Sequence, residues 1–244
     1  MAELNLLDAF PSVQRKIEKG SRTEKNRIIA RRYDKEFFDG DRSNGYGGFY
    51  YDGRWKKIVK KVQEVYGINN NSAVLDMGCA KGFFMFDLQD MLPGIKVAGM
   101  DISNYAINHA MDGYSGYLIK QGLETDNEAA KGLEELAKNK ITPFMIEGSI
   151  ERLPWPDKSF DAVFNINTLH NLNEGDCIKC ISEMNRVCRN PEKMYIQVDS
   201  YRNKEERERM EIWALTANTV KSDKGWTEFF KSAGFKGDYF WTIV

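Results

Sequence analysis

From residue 70 onward, short apolar runs alternate with longer stretches whose apolar positions recur every three or four residues. Ala73–Met77, Lys96–Asp101, Thr142–Glu147, Phe160–Ile166 and Met194–Asp199 read as buried strands, and Tyr239–Val244 as a final one. The intervening stretches read as helices: Gly82–Met91, closed by Pro93-Gly94; Ser103–Met111, with Ser103 as N-cap; Glu124–Asn139; Asp176–Cys188; Lys204–Leu215; and Asp223–Ala233. Strands alternating with helices predict an α/β fold. Its doubly wound, mostly parallel sheet has six or seven strands and helices on both faces.

The first 70 residues follow another rhythm. A basic helical stretch over Ser12–Phe38 leads into a loop of glycines and aromatics, Gly40–Trp55. An amphipathic helix follows over Lys56–Tyr66, with Ile58, Val62 and Val65 on one face. The expected division is therefore a helical lid over 1–70 and the α/β domain over 71–244.

Composition narrows the field. The chain is 42% hydrophobic and 29% charged, with a formal net charge of −1. That balance counts against DNA or RNA as a principal partner. No apolar run approaches the ~18 residues of a membrane span, so stable membrane insertion is not expected. The first residues lack the pattern of a secretory signal, so a cytoplasmic protein is expected. One region departs from neutrality: residues 11–35 hold nine Lys or Arg against three Asp or Glu. That is either a solvated helix face or an electropositive flap over an anionic substrate. Cys177 and Cys180 form a C-x-x-C. However, Cys177, Cys180, Ile181, Met184, Val187 and Cys188 share one helical stripe, which points to core packing and to no metal site.

The chemistry concentrates in Val74-Leu-Asp76-Met-Gly78-Cys79-Ala80-Lys81-Gly82-Phe-Phe, where a buried strand turns through small residues into a helix. Glycine lets backbone approach a ligand closely, and open α/β sheets bind ligands at this end of their strands. Ala80 interrupts the G-x-G-x-x-G fingerprint of dinucleotides, and Asp76 would repel a pyrophosphate. A carboxylate there suits the amino group of an amino-acid moiety instead. Asp101, ending the next strand, can accept both hydroxyls of a ribose.

These segments resemble the class I, Rossmann-like S-adenosylmethionine-dependent methyltransferases. VLDMGCAKG is similar to that family's first motif and GMDIS to its second. The segments Gly148–Asp161 and Asn165-Ile-Asn167-Thr-Leu-His170-Asn171-Leu are similar to its later ones. The resemblance covers about Val74 to Asp199 and implies S-adenosyl-L-methionine as cofactor, with S-adenosyl-L-homocysteine as product. By position it places Gly78, Cys79, Ala80 and Gly82 around the methionine and ribose, Asp76 at the amino group and Asp101 on the ribose. Ile102, Ser149 and Ile150 would border the adenine, and Asn165 and Asn167 the methyl group. Tyr33 resembles N-terminal tyrosines that cap the cofactor. The family often has Asp at the position of Ser149 and usually two strands after the last helix. A missing antiparallel strand would leave a rearranged edge, where a homodimer contact is one option.

The acceptor side is less determined. His170 is the candidate base, since a histidine titrates near neutrality, and His109 is expected at the surface. Tyr46, Tyr50, Tyr51, Arg54 and Trp55 of the aromatic loop, with Asn171, Asp199 and Tyr201, are the candidate substrate contacts. The run Glu205–Glu211 reads as a solvated helix face, while Trp213 and Trp226 belong either to the core or to the cleft. Three readings remain open. The first is methylation, favouring oxygen, of a small polar or anionic acceptor such as a sugar or glycan precursor. The second is carbon methylation of a quinone-like ring. The third is a cofactor-binding partner protein without catalysis.

Overall fold

Alternate residues of each central strand enter different hydrophobic clusters, as a strand period of two requires. Val74, Phe164 and Tyr195 join one cluster; their neighbours Leu75, Val163 and Ile196 join the other. A sheet apolar on both faces must be covered on both. The computed structural model describes residues 1–10, 17–46, 51–110 and 144–244.

Strand β1 (Ala73–Met77) lies at the centre, between β2 (Lys96–Asp101) and β4 (Ala162–Ile166). Strand β3 (Phe144–Glu147) pairs outside β2, and β5 (Met194–Tyr201) outside β4. Two further strands join β5: β6 (Lys221–Ser222) at its tip and β7 (Asp238–Thr242) along its length. All these pairings are parallel, giving the seven-stranded α/β sheet that the alternation predicts.

Helix α1 (Glu24–Ala30) and helix α2 (Lys35–Phe38) precede α3 (Trp55–Tyr66). Helix α3 and helix α4 (Phe83–Met91) cover one face through Ile58, Val59, Val62, Phe84, Met85 and Leu88. Helix α5 (Asn104–Asn108) is capped by Ser103, whose Oγ accepts the Ala106 N–H at 3.0 Å. Helices α6 (Glu174–Val187) and α8 (Asp223–Ser232) cover the other face; α7 (Lys204–Trp213) follows β5. Cys177, Cys180 and Cys188 are buried there among Ile181, Met184, Val187, Trp226 and Phe230, so the cysteine stripe is core and Trp226 belongs with it.

Several expectations change. Residues 12–16 of the basic stretch lie outside the described residues; over 17–38 it is not one helix but α1 and α2, broken at Tyr33, whose φ of 51° lies in the left-handed region. Val65 is 42% exposed, and Tyr66 turns inward in its place. The helix expected over 124–139, the start of the third strand at 142–143 and residues 47–50 lie outside the described residues.

The final antiparallel strand does not occur among the described residues. Instead, Leu4 donates its N–H to the Tyr239 carbonyl at 2.8 Å, and Tyr239 donates to Ala2 at 3.0 Å. The chain's own first residues thus cover the outer edge of β7, by a parallel bridge between Glu3 and Tyr239. An edge strand otherwise offers a row of unpaired groups, and this pairing satisfies part of it internally. Leu6 then plugs into the core beside Ile58 and Tyr195, with no exposed surface.

Leu6→Ala is expected to cost about 2–5 kcal/mol, the range for emptying a buried leucine site. Val65→Ala is expected to change stability by less than about 0.5 kcal/mol, as surface substitutions do. Urea unfolding of the two variants measures both.

Candidate functional site

Strands β1, β2, β4 and β5 point their carboxyl ends into one cleft of about 1300 Å³. The turn after β1 is shaped by steric necessity. Gly78 has φ 86°, and a Cβ there would overlap the Thr168 side chain. The amides of Gly78 and Cys79 both donate to the Met100 carbonyl, at 2.7 and 3.2 Å, which latches the loop onto β2. Ala80 holds φ 49°, a conformation that costs a non-glycine residue free energy and that the surroundings must enforce. Part of that enforcement is visible: the Ala80 N–H donates to Asp101 Oδ2 at 2.8 Å.

Asp101 Oδ1 accepts the Ser103 N–H at 2.8 Å, so the carboxylate is fixed from both sides. A carboxylate offers about four acceptor sites, so Asp101 keeps capacity for a ligand. Burial raises the Asp101 pKa, opposed by hydrogen bonds from the Ser103, Ala80 and Ile102 backbone. Asp76 has no such relief. Burial, and then the charge of Asp101, push its pKa to about 7. Two buried carboxylates on neighbouring strands make a cleft that a cation would stabilise. Beside them Ile102 is 57% exposed on the cleft wall, an apolar surface with nothing on it.

The other end of the cleft is polar. Burial pushes Tyr33 up to about 12, against a hydrogen bond with Thr216. The Tyr46 hydroxyl accepts the Leu215 N–H at 2.9 Å and lies 3.4 Å from Thr216 Oγ1. Asn167, at φ 57°, accepts from Thr242 Oγ1 at 2.7 Å; Gln197 Nε2 donates to Thr242 at 3.0 Å, and Tyr195 to Gln197 at 2.9 Å. His170 is buried, and burial lowers its pKa while Asp199 opposes this. Its Nδ1 accepts the Asp199 N–H at 3.0 Å, and its Nε2 lies 3.5 Å from Asp199 Oδ2.

The N-terminal segment forms one wall. Arg22 lies 3.9 Å from the Trp213 ring and 4.9 Å from the Tyr46 ring, and it donates to the Trp213 and Gly45 carbonyls. Lys81 Nζ, nearly inaccessible to water, reaches both oxygens of Asp39 at 2.8 Å, and Tyr105 donates to the same carboxylate at 2.8 Å. These contacts join residues 22–46 to the Gly78–Gly82 turn and to the end of α7.

The cleft thus collects most of the residues singled out in the sequence. Tyr33, Asp76, Gly78, Cys79, Ala80, Asp101, Ile102, Ser149, Ile150 and Asn167 line it, as do Tyr46, Arg54, Trp55, Asn171, His170 and Asp199. Four do not. Gly82 is the left-handed N-cap of α4. Asn165 is fully buried, donating to the Met77 carbonyl at 3.2 Å and accepting from Leu169 N–H at 2.9 Å, so it clamps β4 to β1. Tyr51 turns inward to donate to Asp87, and Tyr201 packs under Arg207. Tyr50 lies outside the described residues. His109 stacks on Tyr105 at 3.9 Å, away from the cleft.

Sequence reasoning missed Lys81, Thr216, Asn218, Arg42, Arg209 and the final residues Phe240–Val244, all on the cleft wall. Arg209 sits in the charge run expected to be solvated. The adjacent Met210 is fully buried, and that lone apolar residue was the available sign that one side of α7 faces inward.

Asp76 sets a pH dependence with a definite sign. Its folded pKa of about 7 lies above the ordinary 3.8, so its stabilising contribution belongs to the protonated form. That contribution is present below about pH 4 and is lost as pH rises through 7. Melting of the unliganded protein between about pH 5 and 8 is expected to favour Asp76→Asn increasingly over the parent chain as pH rises.

A family described as "Methyltransferase domain" matches residues 68–234. Solved structures share the fold. One is the complex between the Haloferax volcanii Trm112 methyltransferase activator and a methyltransferase: 20% identity, 75% of this chain, 73% of that chain, TM-score 0.50. Another is a SAM-dependent methyltransferase from Aquifex aeolicus: 21% identity, 72% of this chain, 78% of that chain, TM-score 0.48. No curated protein matches the chain.

Proposed function

We propose, for a chain that belongs to the methyltransferase domain family, transfer of a methyl group from S-adenosylmethionine to a hydroxyl of a small anionic acceptor. The observation that carries this reading is the buried pair Asp76 and Asp101 beside a turn with no room for a side chain at Gly78. Asp76, destabilised as an anion by burial, would receive the ligand's ammonium group. Asp101 would hold the ribose hydroxyls through its remaining acceptor capacity. Ile102, with Ser149 and Ile150, would receive the adenine. When bound, the cofactor supplies an electrophilic methyl group, and the protein's task is to orient a nucleophile and exclude water.

Strand order supports the division of the cleft. Asp101 and Asp76 end β2 and β1, while Asn167 and Asp199 leave β4 and β5. Neighbouring strands are about 4.8 Å apart, so Asp199 stands roughly 10 Å across the sheet from Asp76, on the acceptor side. Tyr33, Tyr46 and Thr216 border that side as hydrogen-bonding groups. Arg31, Arg42 and Arg209 line the same cleft and favour an acceptor bearing phosphate or carboxylate, such as a phosphorylated or nucleotide-linked sugar. The segment carrying Arg22, Tyr33 and Tyr46 acts as the lid, fixed on α7 by Arg22. This polar lining favours the anionic acceptor over a quinone-like ring.

Two measurements test the reading. Asp101→Ala is expected to weaken S-adenosylhomocysteine binding by about 1.5–3 kcal/mol, the scale for losing charged hydrogen bonds. Labelled S-adenosylmethionine with a metabolite extract is expected to give a labelled anionic product, reduced by Arg31→Ala and Arg42→Ala at low salt. Label in the lipid fraction would support the quinone reading instead, and binding without transfer the partner-protein reading.

A further inference from the structure

We propose that Asp199 receives the acceptor's hydroxyl proton, and that His170 positions Asp199 without exchanging a proton itself. The proposal rests on the methyl-transfer reading above.

The geometry separates the two roles. His170 Nδ1 accepts the Asp199 N–H, so that nitrogen carries no proton. The neutral ring then has its single proton on Nε2, 3.5 Å from Asp199 Oδ2. One residue thus engages both nitrogens of the imidazole. A second proton on Nδ1 would set two N–H groups face to face inside a site closed to water. The backbone of His170 is fixed as well, since its carbonyl accepts from Asn218 N at 2.9 Å and Thr219 N at 3.0 Å. Asp199 is held through its backbone at two points, its N–H by His170 Nδ1 and its carbonyl by the Trp226 indole at 3.0 Å. Asp199 nevertheless lines the cleft, within reach of a ligand hydroxyl.

In the proposed step the acceptor O–H bond breaks and its proton passes to the Asp199 carboxylate. The acceptor oxygen forms its bond to the methyl carbon. The methyl–sulfur bond breaks with its electron pair kept by sulfur, which becomes a neutral thioether. One positive charge and one negative charge disappear together, so the step balances within the cleft. His170 Nδ1 keeps the Asp199 backbone in place throughout.

The first test is independent of turnover. The chain has only two histidines, so nitrogen-15 labelling gives two imidazoles, and His109→Gln assigns them. With S-adenosylhomocysteine bound at neutral pH, His170 is expected as the neutral ring with its proton on Nε2. A proton on Nδ1, or an imidazolium, would overturn the proposal.

The second test is label transfer with the same metabolite extract. Asp199→Asn is expected to lose about 10²–10⁴-fold of the labelled product, the worth of a general base, with S-adenosylhomocysteine affinity retained. His170→Gln, whose amide oxygen can accept the Asp199 N–H, is expected to keep roughly a tenth or more of the wild-type label, and His170→Ala less. An active Asp199→Asn beside an inactive His170→Gln would sink this assignment while leaving methyl transfer standing. No label from the wild-type chain would remove the transfer reading and this proposal with it.

Discussion

Two carboxylates held out of water at the ends of adjacent strands set the terms for the rest of the molecule. Among the described residues no side-chain cation stabilises Asp76 or Asp101 there as an anion, and burial opposes both charges. The fold compensates Asp101 with backbone N–H groups from Ala80 and Ser103. That compensation requires the turn at Gly78–Ala80 to take left-handed conformations. The turn in turn requires β2 beside β1 with the Met100 carbonyl in reach, which the parallel register provides. Asp76 is left uncompensated. Its unfavourable ionisation is a cost that a nearby cation would relieve.

The acceptor half follows another principle. Several of its polar groups are bonded within the protein, with Tyr46 on Leu215, Asn167 on Thr242 and His170 on Asp199. Such networks hold a site rigid because each member loses a bond if it moves. The two halves meet at Tyr33, whose ring packs against Phe37 while its carbonyl accepts from Ser103, the residue that caps α5 and donates its amide to Asp101.

Legibility in the sequence divided along the same line. Strand positions, helix caps and the Asp76, Gly78 and Asp101 loop were readable because they depend on neighbours in sequence: a period of two, an N-cap serine, a glycine at a turn. Residues joined by distant contacts were not. Asn165 and Asn167 look equivalent in the chain, yet one clamps β1 to β4 and the other faces the cleft. Tyr46 and Tyr51 come from one aromatic loop, but only Tyr46 reaches the cleft, while Tyr51 turns to Asp87. Arg209 in a charged run and Thr216 beyond α7 carried no local mark of the cavity that α7 and β5 create around them.

The bridge between residues 2–4 and Tyr239 joins the two ends of the chain, and that has a kinetic meaning. Closing so long a loop adds little equilibrium cost, since loop entropy grows only with the logarithm of length. Contacts of such sequence separation nevertheless form slowly. During synthesis the first residues emerge long before their partner strand exists, so the socket for Leu6 beside Tyr195 waits for the far end of the chain. Until β7 docks, the growing sheet carries an open edge next to an apolar hole. Docking of β7 is then the moment at which the nascent protein stops offering that edge to its neighbours.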